Sequence, residues 1–147
     1  MTRLPLPSMS TQLSTCFWIQ GSAQEAVAYY CQLIPGAKAG NASRSVGSFQ
    51  LPSGHAFLVI GDAEALPTVA HSLAITCDTQ KEVDQLWEAF LQEGKAAQCG
   101  WLQDRYGFSW QIIPKGLQTW LNHPQFGPEN MERMRGMIKL DAEAFLK

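Results

Sequence analysis

Ser14-Thr15-Cys16-Phe17-Trp18-Ile19, followed by Ser22-Ala23-Gln24-Glu25 and a periodic run to Ile34, decides the fold, because the chain repeats the pattern. The second version is Ser72-Leu73-Ala74-Ile75-Thr76-Cys77, then Thr79-Gln80-Lys81-Glu82 and a periodic run to Leu91. Each reads as a short apolar strand, a capping box and an amphipathic helix. In such a box the hydroxyl accepts from the N3 amide while the Glu side chain reaches back to the cap amide. The offset from Ser22 to Thr79 equals that from Glu25 to Glu82. A duplicated strand–helix unit in a short chain implies two similar modules.

Outward from these stretches, the strand over 13–19 ends at Gly21-Ser22. Ala23, Ala26, Val27, Tyr30, Leu33 and Ile34 recur at helical spacing, and Pro35-Gly36 stops the run. Residues 37–48 read as irregular chain or an edge strand. Residues 46–52 and 55–61 flank Pro52-Ser53-Gly54, a hairpin turn. The pattern then restarts. Val83, Leu86, Trp87, Phe90 and Leu91 form a helix stripe. Residues 97–102 and 108–113 flank Asp104-Arg105-Tyr106-Gly107, a second hairpin in which Asp104 is expected to bond its own backbone. The tail reads as helical: 117–121, then 128–138, then a short end from Asp141. Met131, Met134, Met137 and Ile138 make one apolar face, expected as core or dimer contact. The organisation is therefore a flexible tail over 1–12 and one domain over 13–147. That domain comprises module one (13–62), module two (70–114) and a helical extension (115–147).

The chain of 147 residues is long enough for a sizeable core, and 46% apolar with 16% charged residues argues for a folded globule. A net charge of -2 without Lys/Arg clusters gives no footprint for nucleic acid. No apolar run approaches a membrane span, and residues 1–10 do not read as a signal peptide. Cys16, Cys31, Cys77 and Cys99 are widely spaced, and the expectation is small buried thiols in a reducing cytoplasm.

With the order β-α-β-β-β twice over, two runs carry a family resemblance. They are Cys77-Asp78-Thr79-Gln80 with Glu82-Val83-Asp84 and Leu86-Trp87, and Gln98-Cys99-Gly100-Trp101-Leu102 with Asp104-Arg105-Tyr106-Gly107 and Ser109-Trp110-Gln111-Ile112. Over roughly residues 13–145 the chain resembles the vicinal-oxygen-chelate superfamily of glyoxalase I, bleomycin- and fosfomycin-resistance proteins and extradiol dioxygenases. It is most similar to the PhnB-like branch, also labelled the 3-demethylubiquinone-9 3-methyltransferase domain. The resemblance implies an α+β fold: two βαβββ modules forming a curved mixed sheet around a cleft, with C-terminal helices. It also implies a homodimer.

Metalloenzymes of that superfamily hold a divalent ion with one His or Gln on the first strand and one Glu on the last strand of each module. The resemblance puts Ser14, Ala70, about Leu58, and Gln111 at those positions. Neutral oxygen from one amide does not hold a divalent ion alone, so no metal or other cofactor is expected. A one-residue register slip would offer a His71–Gln111 pair as the alternative metal site. His55 and His123 read as surface residues. Strand alternation then sends Ser14, Cys16 and Trp18 into the cleft from module one, and Ser72 and Ala74 from module two. Gln111 faces in, Trp110 faces the helices, and Trp101 stands near the cleft mouth. Gln111 either orients a ligand or satisfies a neighbour such as Ser72 or Ser14.

The expected function is binding, or unassisted turnover, of a small apolar or amphipathic molecule. The alternatives are a metal-dependent lyase, dioxygenase or resistance enzyme, and a ligand-sequestering or scaffold protein without catalysis. Methyl transfer finds no support in the motifs, since Gly21 stands alone where a Rossmann turn would carry G-x-G.

Overall fold

The computed structural model describes residues 12–147, so the expected tail over 1–12 lies outside the described residues except for Gln12. The described residues divide into two compact units, the first ending at Ala63 and the second spanning Glu64–Lys147. Both run βαβββ, and each carries one four-stranded mixed sheet.

Unit one contains β1 (Ser14–Trp18), α1 (Ala23–Leu33), β2 (Lys38–Ala42), β3 (Val46–Gln50) and β4 (Ala56–Ile60). Its sheet order is β1-β4-β3-β2, with β1 parallel to β4 and the other pairs antiparallel. Residues 38–42 are thus an edge strand, with a register irregularity between Ala39 and Ala42. Alternation along the strands divides the sheet into two faces. The covered face carries Phe17, Phe49, Phe57 and Val59, each at most 2% exposed, against Ala23, Ala26, Val27 and Tyr30 of α1. The Phe49 and Phe57 rings stack at 4.5 Å, and Tyr30 stacks on Phe49 at 5.4 Å. Gly47 lets α1 approach, because a Cβ there would lie 2.8 Å from Val27 Cγ2.

Unit two contains β5 (Leu73–Cys77), α2 (Gln80–Leu91), β6 (Lys95–Ala96), β7 (Trp101–Gln103) and β8 (Ser109–Pro114). Its order is β5-β8-β7-β6, with β5 parallel to β8. The second capping box is complete: Glu82 N donates to Thr79 Oγ1 at 3.2 Å, and Thr79 N donates to Glu82 Oε2 at 2.9 Å. At the first, Ser22 Oγ accepts from Glu25 N at 3.5 Å, near the limit for such a bond. Trp110 is 1% exposed and packs on Phe90 of α2 at 5.3 Å, as strand parity predicts.

The extension adds α3 (Leu117–Leu121), α4 (Gly127–Arg135) and a 3-10 turn (Ala142–Ala144) to unit two. Leu117, Leu140 and Phe145 form a small core onto which Met134 and Met137 pack. Of the stripe expected as core or dimer contact, Met134 and Met137 thus meet this core, while Ile138 remains 57% exposed. Two polar side chains hold the extension. Asn130, fully buried, donates to Trp120 O and Leu146 O and accepts from Leu146 N, at 2.8–2.9 Å. Gln80 donates to Leu140 O at 2.9 Å and accepts from Ala142 N at 2.8 Å. His123, expected on the surface, is half-buried instead. Its Nδ1 accepts from Gln125 N and Phe126 N just before α4 begins. Among the described residues no helix is long and apolar enough to cross a membrane.

Candidate functional site

The uncovered face of the unit-one sheet is built in rows, because residues paired in register share a face. Across β1, β4 and β3 the rows are Ser14–Ala56–Gln50, Cys16–Leu58–Ser48 and Trp18–Ile60–Val46. The first row continues onto β2 at Lys38. Four large apolar side chains stand open on this face: Val46 at 54%, Trp18 at 51%, Leu58 at 44% and Ile60 at 43% exposure. They follow from the sequence directly. In Ala56-Phe57-Leu58-Val59-Ile60 every side chain is apolar, yet only Phe57 and Val59 meet the helix. Beside the apolar patch lies a hollow of about 350 Å³, floored by Ser14, Ser48, Ala56 and Leu58, with Lys38 and Gln50 at its β2 side.

Ser14, Cys16 and Trp18 thus share one face of unit one. Sequence reasoning named Leu58 only as an approximate ligand position and missed the other residues that share this face: Lys38, Val46, Ser48, Gln50 and Ile60. The signal was present, since period-two alternation carried from β1 through the Pro52-Ser53-Gly54 hairpin selects every one of them on β3 and β4. Cys16 is an exposed thiol, which corrects the expectation of four buried ones; among them only Cys77 is buried. No disulfide links the four. Burial raises the Cys77 thiol above its ordinary pKa, with Glu82 and Asp78 adding repulsion, and burial also raises Cys31. His55, at the head of β4, bonds Thr15 Oγ1 at 2.8 Å. Thr15 alternates with Cys16 along β1, so this imidazole engages the other face.

In unit two, Ala74, Gln111 and Trp101 form one row across β5, β8 and β7. Ser72 joins them, because Gln111 Nε2 donates to Ser72 Oγ at 2.7 Å. The Gln111 amide thus satisfies Ser72, and its carbonyl oxygen can still accept. Trp101 is half-buried and borders a hollow of about 300 Å³ with Val69, Cys99 and Gln103. His71 is exposed, and among the described residues no hydrogen bond joins it to Gln111. Asp104 is the buried carboxylate of this unit, at 4% exposure. Its Oδ1 accepts from Tyr106 N and Phe108 N, and its Oδ2 from Trp110 Nε1 at 2.8 Å, which makes it a turn-building residue as expected.

The resemblance put Ser14, Ala70, about Leu58, and Gln111 at the positions where the superfamily holds a divalent ion. Leu58 and Ala70 have no lone pair to give, Ser14 offers a neutral hydroxyl, and Gln111 offers one amide oxygen. Among the described residues no three His, Cys, Asp or Glu side chains gather into a cluster that could hold a metal ion.

A family model described as 3-demethylubiquinone-9 3-methyltransferase matches residues 11–113. Among solved structures, a putative 3-demethylubiquinone-9 3-methyltransferase, PhnB protein, from Bacillus cereus is 25% identical with a TM-score of 0.62. That match covers 71% of this chain and 99% of that one. The fosfomycin resistance protein FosX from Listeria monocytogenes, solved with Mn(II) and sulfate, is 14% identical with a TM-score of 0.56, over 77% of this chain and 97% of that one. A glyoxalase/bleomycin resistance protein from Albidiferax ferrireducens T118 is 14% identical with a TM-score of 0.52, over 69% and 97% respectively. A search of curated proteins finds no match. The last two likenesses speak to the fold alone. The family match spans both βαβββ units, and their repeated strand order is that of the glyoxalase fold. The chain therefore belongs to the family described as 3-demethylubiquinone-9 3-methyltransferase, the PhnB-like branch of the vicinal-oxygen-chelate superfamily.

Proposed function

We propose that this chain binds a small amphipathic molecule on the open face of the unit-one sheet, without a protein-held metal. The observation that carries the reading is the contiguity of that face. Trp18, Ile60, Val46 and Leu58 present an apolar surface, and it runs directly into a hollow lined by the hydroxyls of Ser14 and Ser48, the amides of Gln12 and Gln50 and the Lys38 ammonium. Apolar walls with a few placed polar groups are the ordinary make-up of small-molecule sites. The hollow's volume suits a fragment-sized ligand.

The same residues favour binding over covalent chemistry. Cys16 is the nucleophilic side chain of the face, and its row partners Leu58 and Ser48 supply no base to make a thiolate. Methyl transfer, which the family description names, is not part of the proposal. A cofactor crevice of the doubly wound kind forms at the carboxyl ends of parallel strands, whereas each sheet here has a single parallel pair.

Two measurements test the reading. Titration with the neutral probe 2-naphthamide, followed by backbone amide shifts, should move the signals of Ser14–Trp18 and Ala56–Ile60. No movement there at millimolar probe would overturn it. Elemental analysis of protein purified without chelator, then dialysed against Zn, Mn, Ni and Fe in turn, should return no stoichiometric metal. About one tightly held ion per chain would overturn the metal-free half and favour a metal-dependent lyase, dioxygenase or resistance enzyme.

A further inference from the structure

We infer that the hollow on the open face of unit one selects a small organic anion, whose charged head sits at Lys38 and whose apolar body lies over Ala56 and Leu58. The inference rests on the proposed binding function and names the ligand class for that same site.

The geometry comes from the register. Lys38 on the edge strand pairs with Gln50, Gln50 with Ala56, and Ala56 with Ser14. These four residues form a single row across the whole sheet, with the ammonium at one end and the Ser14 hydroxyl at the other. The neighbouring row is opened by a glycine. A Cβ on Gly40 would lie 2.4 Å from Ser48 Oγ, so any other residue there would crowd the hollow beside that hydroxyl. Gln50 Nε2 donates to Gly54 O at 3.1 Å, which turns its amide group toward the hairpin.

The charge balance is one-sided. Among the described residues that line the hollow, Lys38 is the one charged side chain. Among the described residues the ion pairs engage other cations: Arg44 with Asp62, Arg105 with Glu93, Lys115 with Asp78, Arg133 with Glu129, Arg135 with Glu132 and Lys139 with Asp84. A cation above hydroxyls and apolar floor is complemented by an anion with a short hydrophobic body. A neutral or cationic molecule of the same shape gains the floor without the head-group attraction.

The test compares 2-naphthoate with 2-naphthamide, two probes of one shape that differ in charge, by calorimetry at low salt. An exposed ion pair predicts that naphthoate binds about two- to fivefold more tightly. Lys38→Gln should bring the two probes to parity, Lys38→Arg should keep the preference, and added salt should shrink it. Lys38 is exposed on an edge strand, so both variants should fold. Equal affinities in the parent protein, or a preference that survives Lys38→Gln, would overturn the inference and leave the binding function standing. Failure of both probes to bind would overturn both.

Discussion

Asp104 shows how a single residue sets a local structure. Its two carboxylate oxygens accept from the amides of Tyr106 and Phe108 and from the indole of Trp110. Asp104→Asn keeps one acceptor and turns an N–H₂ toward the indole N–H, so it should cost about 2 kcal/mol; Asp104→Ala should cost about 3 kcal/mol. Urea unfolding of the two variants checks both values. The sequence announced the turn, because Asp104-Arg105-Tyr106-Gly107 is typical turn composition. It did not announce the indole bond, which depends on Trp110 returning to the turn from the far side of the hairpin. The thiols separate in the same way. Iodoacetamide followed by peptide mapping should find Cys16 alkylated first and Cys77 last. Cys16 lies on the open face, whereas burial and two neighbouring carboxylates hold Cys77 in its thiol form. Equal rates would show that Cys77 is far less enclosed than its packing indicates.

At the scale of elements, the duplicated cap was the most legible feature, and the two copies differ in quality. Thr79→Ala removes a complete reciprocal box and should destabilise the protein by about 1 kcal/mol. Ser22→Ala loses only a 3.5 Å contact and should cost less. Denaturant midpoints of the two variants decide the order, and a larger loss for Ser22→Ala would contradict it. Strand parity was legible too, because it depends on nothing beyond alternation; it set Trp110 against Phe90 and left Cys16 outward. What alternation could not supply was the partner strand. Lys38 enters the site only because an irregular stretch pairs as the edge strand β2, and the register that aligns it with Gln50 is a tertiary fact. His123 was misread for a similar reason: its role as acceptor for two amides appears only once the chain has turned into α4.

At the scale of the whole molecule, the βαβββ repeat was visible in the sequence, but the fixing of the C-terminal extension was not. Asn130 reads as an ordinary polar helix residue, yet it is fully buried and joins α3 to the end of the chain. Asn130→Ala would leave the Leu146 carbonyl and amide without the Asn130 side chain and take one donor from Trp120 O, which keeps His123 N, and should cost about 3 kcal/mol. Thermal unfolding checks this, and a change within about 0.5 kcal/mol, the size of an ordinary surface substitution, would refute it. The strand order has a last consequence, for the timing of folding. In each unit the first strand pairs in parallel with the last, so the contact that completes the sheet is also among the most distant along the chain. Hairpins such as β3–β4 can form early and locally, while β1 and β5 wait for their partners to be synthesised. During translation unit one can complete its sheet once residue 60 is free, with unit two still emerging, whereas unit two stays open at one edge until β8 arrives.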